Sequence, residues 1–193
     1  MADTTKDSIA QAAVTLFAQQ GYERTSIDDI ALKAGIAKGT IFYHFNSKRE
    51  LFIYTVNTGM KKWLLSLARI AESPLAFPQK LGAAIDEHLR FVQEEQDLVR
   101  LLLSEGPEQR WRQEVKMLHL EYTQLMTSII DQGKAEGSIT DDLQPEVAVH
   151  TLFGAIMVLA LDSLILDEGI DPSTASEQLK RLLLAGITAP RGR

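Results

Sequence analysis

The residue order predicts an all-α protein: an N-terminal three-helix unit containing a helix-turn-helix, followed by a larger helical region. Apolar residues recur at steps of three and four along most of the 193 residues. Gly and Pro stops, with Ser, Thr and Asp starts, cut that pattern into segments of helical length. No stretch alternates apolar and polar at a period of two, no hairpin dipeptide occurs, and no repeat is visible.

Residues 5–20 carry Ile9, Ala12, Ala13, Leu16 and Phe17 on one face, and Gly21 closes the segment. Residues 26–51, SIDDIALKAGIAKGTIFYHFNSKREL, then read as two short helices and the start of a third. Ile27, Ile30, Ala31, Ile36 and Ile41 sit at offsets that hold two crossing helices. Gly35 supplies the positive φ that a tight corner needs, and Ala31 is small where the second helix passes closest. Thr25 and Ser26 are candidate N-caps, with Asp28 and Asp29 three residues on, and Ser47 with Glu50 repeats the signal. The short helix between them covers residues 38–45. These offsets alone fit either a DNA-reading device or a corner of an ordinary helical bundle.

A long helix is expected from 48 to about 72, with Leu51, Phe52, Tyr54, Val56, Trp63, Leu64, Leu67 and Ile70 as its buried surface. It connects the N-terminal unit to everything downstream, so motion between the two parts must pass through it. Ser73 and Pro74 end it, and Pro78 opens a helix over 78–94, with a short apolar run at 98–103 beyond a polar break. Pro107 is expected to start the longest helix, about 107–136, whose seam alternates steps of four and three from Trp111 to Ile129 before Gly137 caps it. From Pro145 to about Glu168 the pattern is apolar nearly all round, and Gly169 ends it. Asp171 and Pro172 begin a last helix with the stripe Leu179, Leu182, Leu183 and Ile187. A helix apolar on every side needs cover on every side. Chain neighbours cover one face, and a symmetry copy is the simplest cover for the other, making a four-helix homodimer interface of the last two helices. A buried intrachain hairpin is the alternative. The expected division is 1–46 for the helix-turn-helix domain and 47–193 for a helical effector-binding and dimerisation domain.

The 38–45 helix carries the residue types that groove reading uses. Lys38 reaches guanine acceptors or a phosphate, Thr40 a thymine methyl or a phosphate, and Tyr43 and His44 the DNA backbone. Gly39 leaves the leading edge without a side chain, so the helix backbone can come close to DNA. KGTIFYHFNSKREL, with the glycine corner before it, resembles the DNA-binding domain of the TetR family of bacterial transcriptional regulators over residues 5 to about 55. The resemblance implies phosphate contacts from Thr25 or Ser26, Tyr43, His44 and Lys48, and base contacts from Lys38, Gly39 and Thr40. Phe42 stands where a tyrosine is common in that family, so a phosphate-binding hydroxyl is replaced by apolar contact. Beyond residue 55 the resemblance is one of architecture, and it implies a homodimer.

The formal net charge of −6 argues against nucleic-acid binding until the chain is divided. Residues 1–50 hold six Lys or Arg and six Asp or Glu, so all the excess acid lies downstream. Such a protein is expected to bind DNA with strong salt dependence and little non-specific affinity. There is no cysteine, which excludes disulfides and thiolate metal sites. The longest apolar run, 152–161, is about half the roughly 20 residues of a membrane helix, and Asp162 ends it. Asp3, Lys6 and Asp7 interrupt any signal-peptide core, so a cytoplasmic protein with no membrane partner is expected.

His44, His88, His119 and His150 show no i,i+3 or i,i+4 pair, and no Glu precedes a His by three, so neither a metal nor a cofactor is expected. No glycine phosphate loop or nucleophile elbow is present, which weakens the enzyme class. An effector pocket is the stronger expectation, lined by Trp63, Phe91, Trp111, Tyr122, Met126 and Met157 with His88, Arg100 or Asp162 as polar anchors. Plain core packing is the alternative for each of them. The sequence therefore points to a ligand-responsive regulator, a repressor, binding a palindromic double-stranded operator as a homodimer and released by a small, largely apolar effector. The alternative is a helical small-molecule-binding or interaction protein without operator binding.

Overall fold

A computed structural model describes residues 2–105, 112–166 and 169–187. The described residues form nine helices: α1 (Ala2–Gln20), α2 (Ile27–Ala34), α3 (Lys38–His44), α4 (Lys48–Glu72), α5 (Phe77–Glu94), α6 (Gln96–Glu105), α7 (Arg112–Ala135), α8 (Pro145–Leu164) and α9 (Pro172–Ile187). They divide into two compact units: residues 1–61 with 95–118, and residues 62–94 with 119–193. The edge of compact packing thus falls inside α4 rather than at residue 46, and α6 joins the first unit. The expected start of α7 at Pro107 lies outside the described residues. Among those described, α4 is longest, 25 residues against 24 for α7.

In the first unit α1 packs on α2 and α6. Ile9, Ala13, Phe17, Ile30, Ile41 and Leu51 are fully buried there. Phe17, Tyr22 and Phe52 form a ring cluster with centroids 5.1–5.5 Å apart, edge-on or tilted as aromatic quadrupoles prefer. α2 and α4 start where the sequence supplies a serine cap, whereas α3 starts at Ala37 without a side-chain cap. Ser26 Oγ accepts from Asp29 N (3.1 Å) while the Asp29 carboxylate accepts from Ser26 N (3.2 Å), a reciprocal capping box. The Ser26 hydroxyl and backbone bonds hold the Asp29 carboxyl below its usual range. Gly35 closes α2 at φ 68°, the left-handed conformation that a Cβ would strain. Ser47 Oγ accepts from Glu50 N, and the Glu50 carboxylate turns back to Asn46 N and Nδ2.

The core of the second unit is made by the later turns of α4 with α5, α7, α8 and α9, around Leu67, Phe77, Leu81, Ile85, Met126 and Ile129. Lys80 is buried with its ammonium donating to Ala71 O, in the last turn of α4, and to Gln132 Oε1. Glu136 accepts from Phe77 N at 3.0 Å, capping the start of α5 from the end of α7. Gly137, at φ 69°, ends α7 with Ser138 N donating back to Gly133 O.

The apolar helix α8 stops at Leu164 rather than near Glu168. Gly169 lies so close to Ser163 that an added Cβ would stand 2.9 Å from the serine Cβ. Val149, Leu152, Ile156, Ala160 and Leu164 form its covered face. Val147, Val158, Leu161 and Ile165 are exposed on the other, in a stripe completed by Thr151 and Gly154. With 20 residues and a mean hydropathy of 1.9 over its most apolar 18, α8 is long and apolar enough to cross a bilayer, which the count of the 152–161 run did not reveal.

Candidate nucleic-acid interface and ligand cluster

The corner between α2 and α3 sorts the expected contact residues by whether the fold already uses them. Lys38, Gly39, Phe42 and Tyr43 are exposed, Tyr43 at 84%, while Thr40 and His44 are half-buried. Tyr43 and His44 pack edge to face at 5.0 Å. A Cβ built on Gly39 meets nothing within 4 Å, so nothing in the described fold requires a glycine at that helical position. The inward residues Ile41 and Phe45 are buried, as their spacing requires.

Thr25, Ser26 and Lys48, expected at phosphate, make hydrogen bonds within the fold. Thr25 is 1% exposed, and its hydroxyl donates to Gly21 O (2.8 Å) and Leu16 O (3.3 Å), closing the end of α1. Ser26 Oγ serves the capping box and donates to the Asp29 carboxylate at 2.6 Å. Lys48 Nζ donates to Tyr22 O (2.9 Å), Thr25 O (3.0 Å) and Glu23 O (3.3 Å) and lies 4.4 Å from the Tyr22 ring centre. An ammonium has three donors, and these carbonyls engage all of them. Lys48 therefore braces the turn that joins α1 to α2. Its partners lie 23 to 26 residues upstream, so no local pattern announces the role.

Lys38 is not idle either, because its ammonium pairs with Asp28 at 2.9 Å, both side chains being more than half exposed. Exposed pairs of this kind are weak and yield to a competing phosphate. Asp28→Asn is therefore expected to strengthen binding to duplexes of any sequence by about three- to tenfold at low salt. Fluorescence anisotropy on operator and scrambled DNA measures this, and unchanged affinity for both would separate Asp28 from the interface.

In the second unit the expected effector residues converge in part. Trp63 stacks on Phe91 (5.0 Å) and on Tyr122 (5.3 Å), with His88 edge-on at 5.0 Å. Phe153, which the sequence reading passed over within an evenly apolar helix, joins at 5.2 Å from Tyr122. His88 Nδ1 donates to Ala84 O at 2.6 Å, which leaves Nε2 to accept from the Tyr122 hydroxyl at 3.0 Å. Burial pushes the imidazole down to about 4, against the Ala84 hydrogen bond and the Glu87 charge, and burial also raises the Tyr122 phenol. Trp63 Nε1 is buried without an acceptor among the described residues, an omission that costs roughly 1–3 kcal/mol.

Met126 is fully buried one turn along α7 from Tyr122, and with Leu81, Ile130, Val149 and Leu152 it lines an apolar pocket of about 80 Å³. Of the remaining expected effector residues, the two described in this unit stand apart. Arg100 belongs to the first unit, Trp111 lies outside the described residues, and Met157 and Asp162 are half-buried on α8 without a hydrogen bond to the cluster. His119 and His150, widely separated in sequence, come within 5.6 Å between ring centres. Among the described residues no three His, Asp or Glu gather as a metal would need.

Neutral His88 makes the fold acid-sensitive. Between pH 4 and 6.5 its imidazole is uncharged in the folded chain and protonated in the unfolded one. The unfolded state then binds more protons, so stability falls as pH is lowered through that window. Going from pH 7 to pH 5 should remove about 2 kcal/mol through this residue. Thermal unfolding of the parent and of His88→Gln at both pH values measures it, and an equal drop in the two would assign the acid sensitivity elsewhere.

Residues 9–55 match the family described as bacterial regulatory proteins, tetR family, and residues 75–161 match the tetracyclin repressor-like C-terminal domain. The fatty acid metabolism regulator protein of Bacillus subtilis is 25% identical over 181 residues, 93% of each chain. The B. subtilis regulator FadR solved in complex with stearoyl-CoA superimposes with TM-score 0.84 at 24% identity, covering 94% of this chain and 98% of that one. A TetR/AcrR family regulator from Thermobifida fusca YX-ER1 is 33% identical, with TM-score 0.72 over 94% of this chain and 97% of that one. With both halves of the sequence matched and this relative aligned almost end to end, the chain belongs to the tetR family of bacterial transcriptional regulators.

Proposed function

We propose that this protein is a ligand-responsive repressor that binds a palindromic operator as a homodimer and is released by a long-chain acyl thioester. Family membership makes it a DNA-binding transcriptional regulator that answers to a ligand. The observation that carries the DNA-reading assignment is Gly39, flanked by exposed Lys38 and near exposed Tyr43: the fold has no use for a bare backbone there. Lys38, Gly39 and Thr40 face the base edges, and Phe42, Tyr43 and His44 the backbone of the groove. The two recognition helices of a dimer would enter successive major grooves roughly 34 Å apart. The regulator acts in the cytoplasm, where its operator lies.

The acyl thioester comes from the relative solved with stearoyl-CoA, and the apolar pocket beside the Trp63 cluster suits it. About 80 Å³ is far below the roughly 300–1,000 Å³ of an occupied ligand site, so binding has to part the side chains that now fill the core. The effector then acts by favouring this opened form over the operator-binding one, to the extent of its preference between them. The test is an operator selected from random duplex DNA, with release followed on adding stearoyl-CoA. Retention of the operator at saturating acyl-CoA would overturn the effector.

Dimerisation rests on the uncovered stripe of α8, Val147, Thr151, Gly154, Val158, Leu161 and Ile165, whose steps of four and three match a helix-helix seam. Leu182 on α9 is exposed at 68% and extends the apolar surface available. Val158→Asp would bury a carboxylate in that seam and is expected to weaken the dimer about 30-fold or more. Sedimentation velocity across a dilution series reads this, and a variant as dimeric as the parent would move the interface elsewhere.

A further inference from the structure

Inside the aromatic cluster of the second unit, every polar atom but one has a partner. The two nitrogens of His88 and the Tyr122 hydroxyl satisfy one another and the Ala84 carbonyl. The Trp63 indole N–H has no acceptor among the described residues, although the side chain is only 5% exposed. Such groups are rare in folded proteins and call for an explanation. Two rings stack on the indole, so it cannot swing out to meet water without breaking both stacks.

The surroundings fix what an acceptor must be. No cation is available among the cluster's own side chains, since burial keeps His88 neutral above its depressed pKa, and the charge that acts on it is the Glu87 carboxylate. Lys80, a buried cation of the same unit, is already held by Ala71 O and Gln132. An anionic acceptor would sit here unpaired, a far heavier desolvation penalty than a carbonyl suffers. Hydrocarbon has a place, because Met126 lies one turn along α7 from Tyr122 and lines the apolar pocket with Leu81 and Leu152. Phe91 and Phe153, both half-buried, are the cluster members least enclosed by the core.

We propose that Trp63 Nε1–H is the hydrogen-bond donor that recognises an uncharged carbonyl of the effector, an acyl thioester or ester, while the adjoining hydrocarbon enters the pocket beside Met126. This rests on the effector reading above and adds to it a named donor and a charge requirement. It makes the protein sense the activated acyl group and ignore the free acid of the same chain length.

The experiment uses the full chain with four probes: stearoyl-CoA, its S-octadecyl-CoA thioether, methyl stearate and stearate. The thioether differs from the thioester chiefly by lacking the carbonyl. The parent is expected to bind the thioester about five- to tenfold tighter than the thioether, the contribution of one hydrogen bond. Trp63→Phe keeps an aromatic ring without the N–H and should bind the two alike. In the parent, the Trp63 indole proton resonance should move downfield with stearoyl-CoA and not with the thioether, a readout that survives if the variant fails to fold. Equal affinity of the parent for thioester and thioether overturns the donor while leaving the acyl-CoA effector standing. Binding of methyl stearate with the indole shift, but of neither CoA compound, upholds the donor and overturns acyl-CoA. Stearate binding as tightly as its methyl ester overturns the charge requirement and with it the proposal, and failure of all four overturns both readings.

Discussion

Lys48→Met lowers the thermal midpoint by about 6–12 °C and abolishes tight operator binding, yet leaves the dependence of residual binding on salt as it was. The expectation follows from where the ammonium is spent. Three charge-assisted hydrogen bonds to the carbonyls of Tyr22, Glu23 and Thr25, with the Tyr22 ring beneath, hold the turn that sets α2 against α1. Removing a half-buried cation of this kind costs about 3 kcal/mol, which for a chain of this size is the stated shift. A residue that neutralised a phosphate would behave otherwise. Its loss would flatten the slope of log affinity against log salt by about one and spare the melting temperature. Calorimetry together with a salt titration of DNA binding separates the two cases, and a flattened slope at unchanged stability would return Lys48 to the interface.

Gly39→Ala is expected to leave stability unchanged or slightly improved while weakening operator binding about 100-fold. Alanine is favoured over glycine in a helix by as much as about 1 kcal/mol, and the added Cβ meets no protein atom within 4 Å. The whole penalty then falls on the complex, where a methyl group at the leading edge of α3 holds the backbone away from the groove. Lys38→Ala at the next position should act differently, relaxing preference at one base pair by about 1–3 kcal/mol while non-specific binding changes little. Anisotropy on the selected operator and on single-base variants of it distinguishes them. A Gly39→Ala protein that bound operator like the parent would remove α3 from the groove.

What the sequence made legible was whatever is encoded within one or two helical turns. Ser26 with Asp29, the αL corner at Gly35 and both ends of α4 follow from contacts three or four residues apart, and each stands where it was read. The bonds of Lys38 to Asp28 and of Lys48 to the Tyr22 carbonyl were not legible, because those partners lie 10 and 26 residues away, across turns whose geometry sets the distance. The effector cluster was recovered in its large rings, Trp63, His88, Phe91 and Tyr122, since bulky aromatics on core faces find one another. Phe153 was hidden because α8 is apolar on both faces, so periodicity could not say which side it takes. No pattern in the sequence shows that α6, which carries Arg100, packs with the first unit.

The uncovered stripe of α8 bears on how this regulator comes into being in the cell. Under the proposed pairing through α8, a chain leaving the ribosome carries that greasy seam in water until it meets a second copy, and the encounter is second order in chain number. Halving the expression level therefore quarters the rate at which competent pairs appear, which lengthens the interval during which chaperones and proteases compete for the single chain.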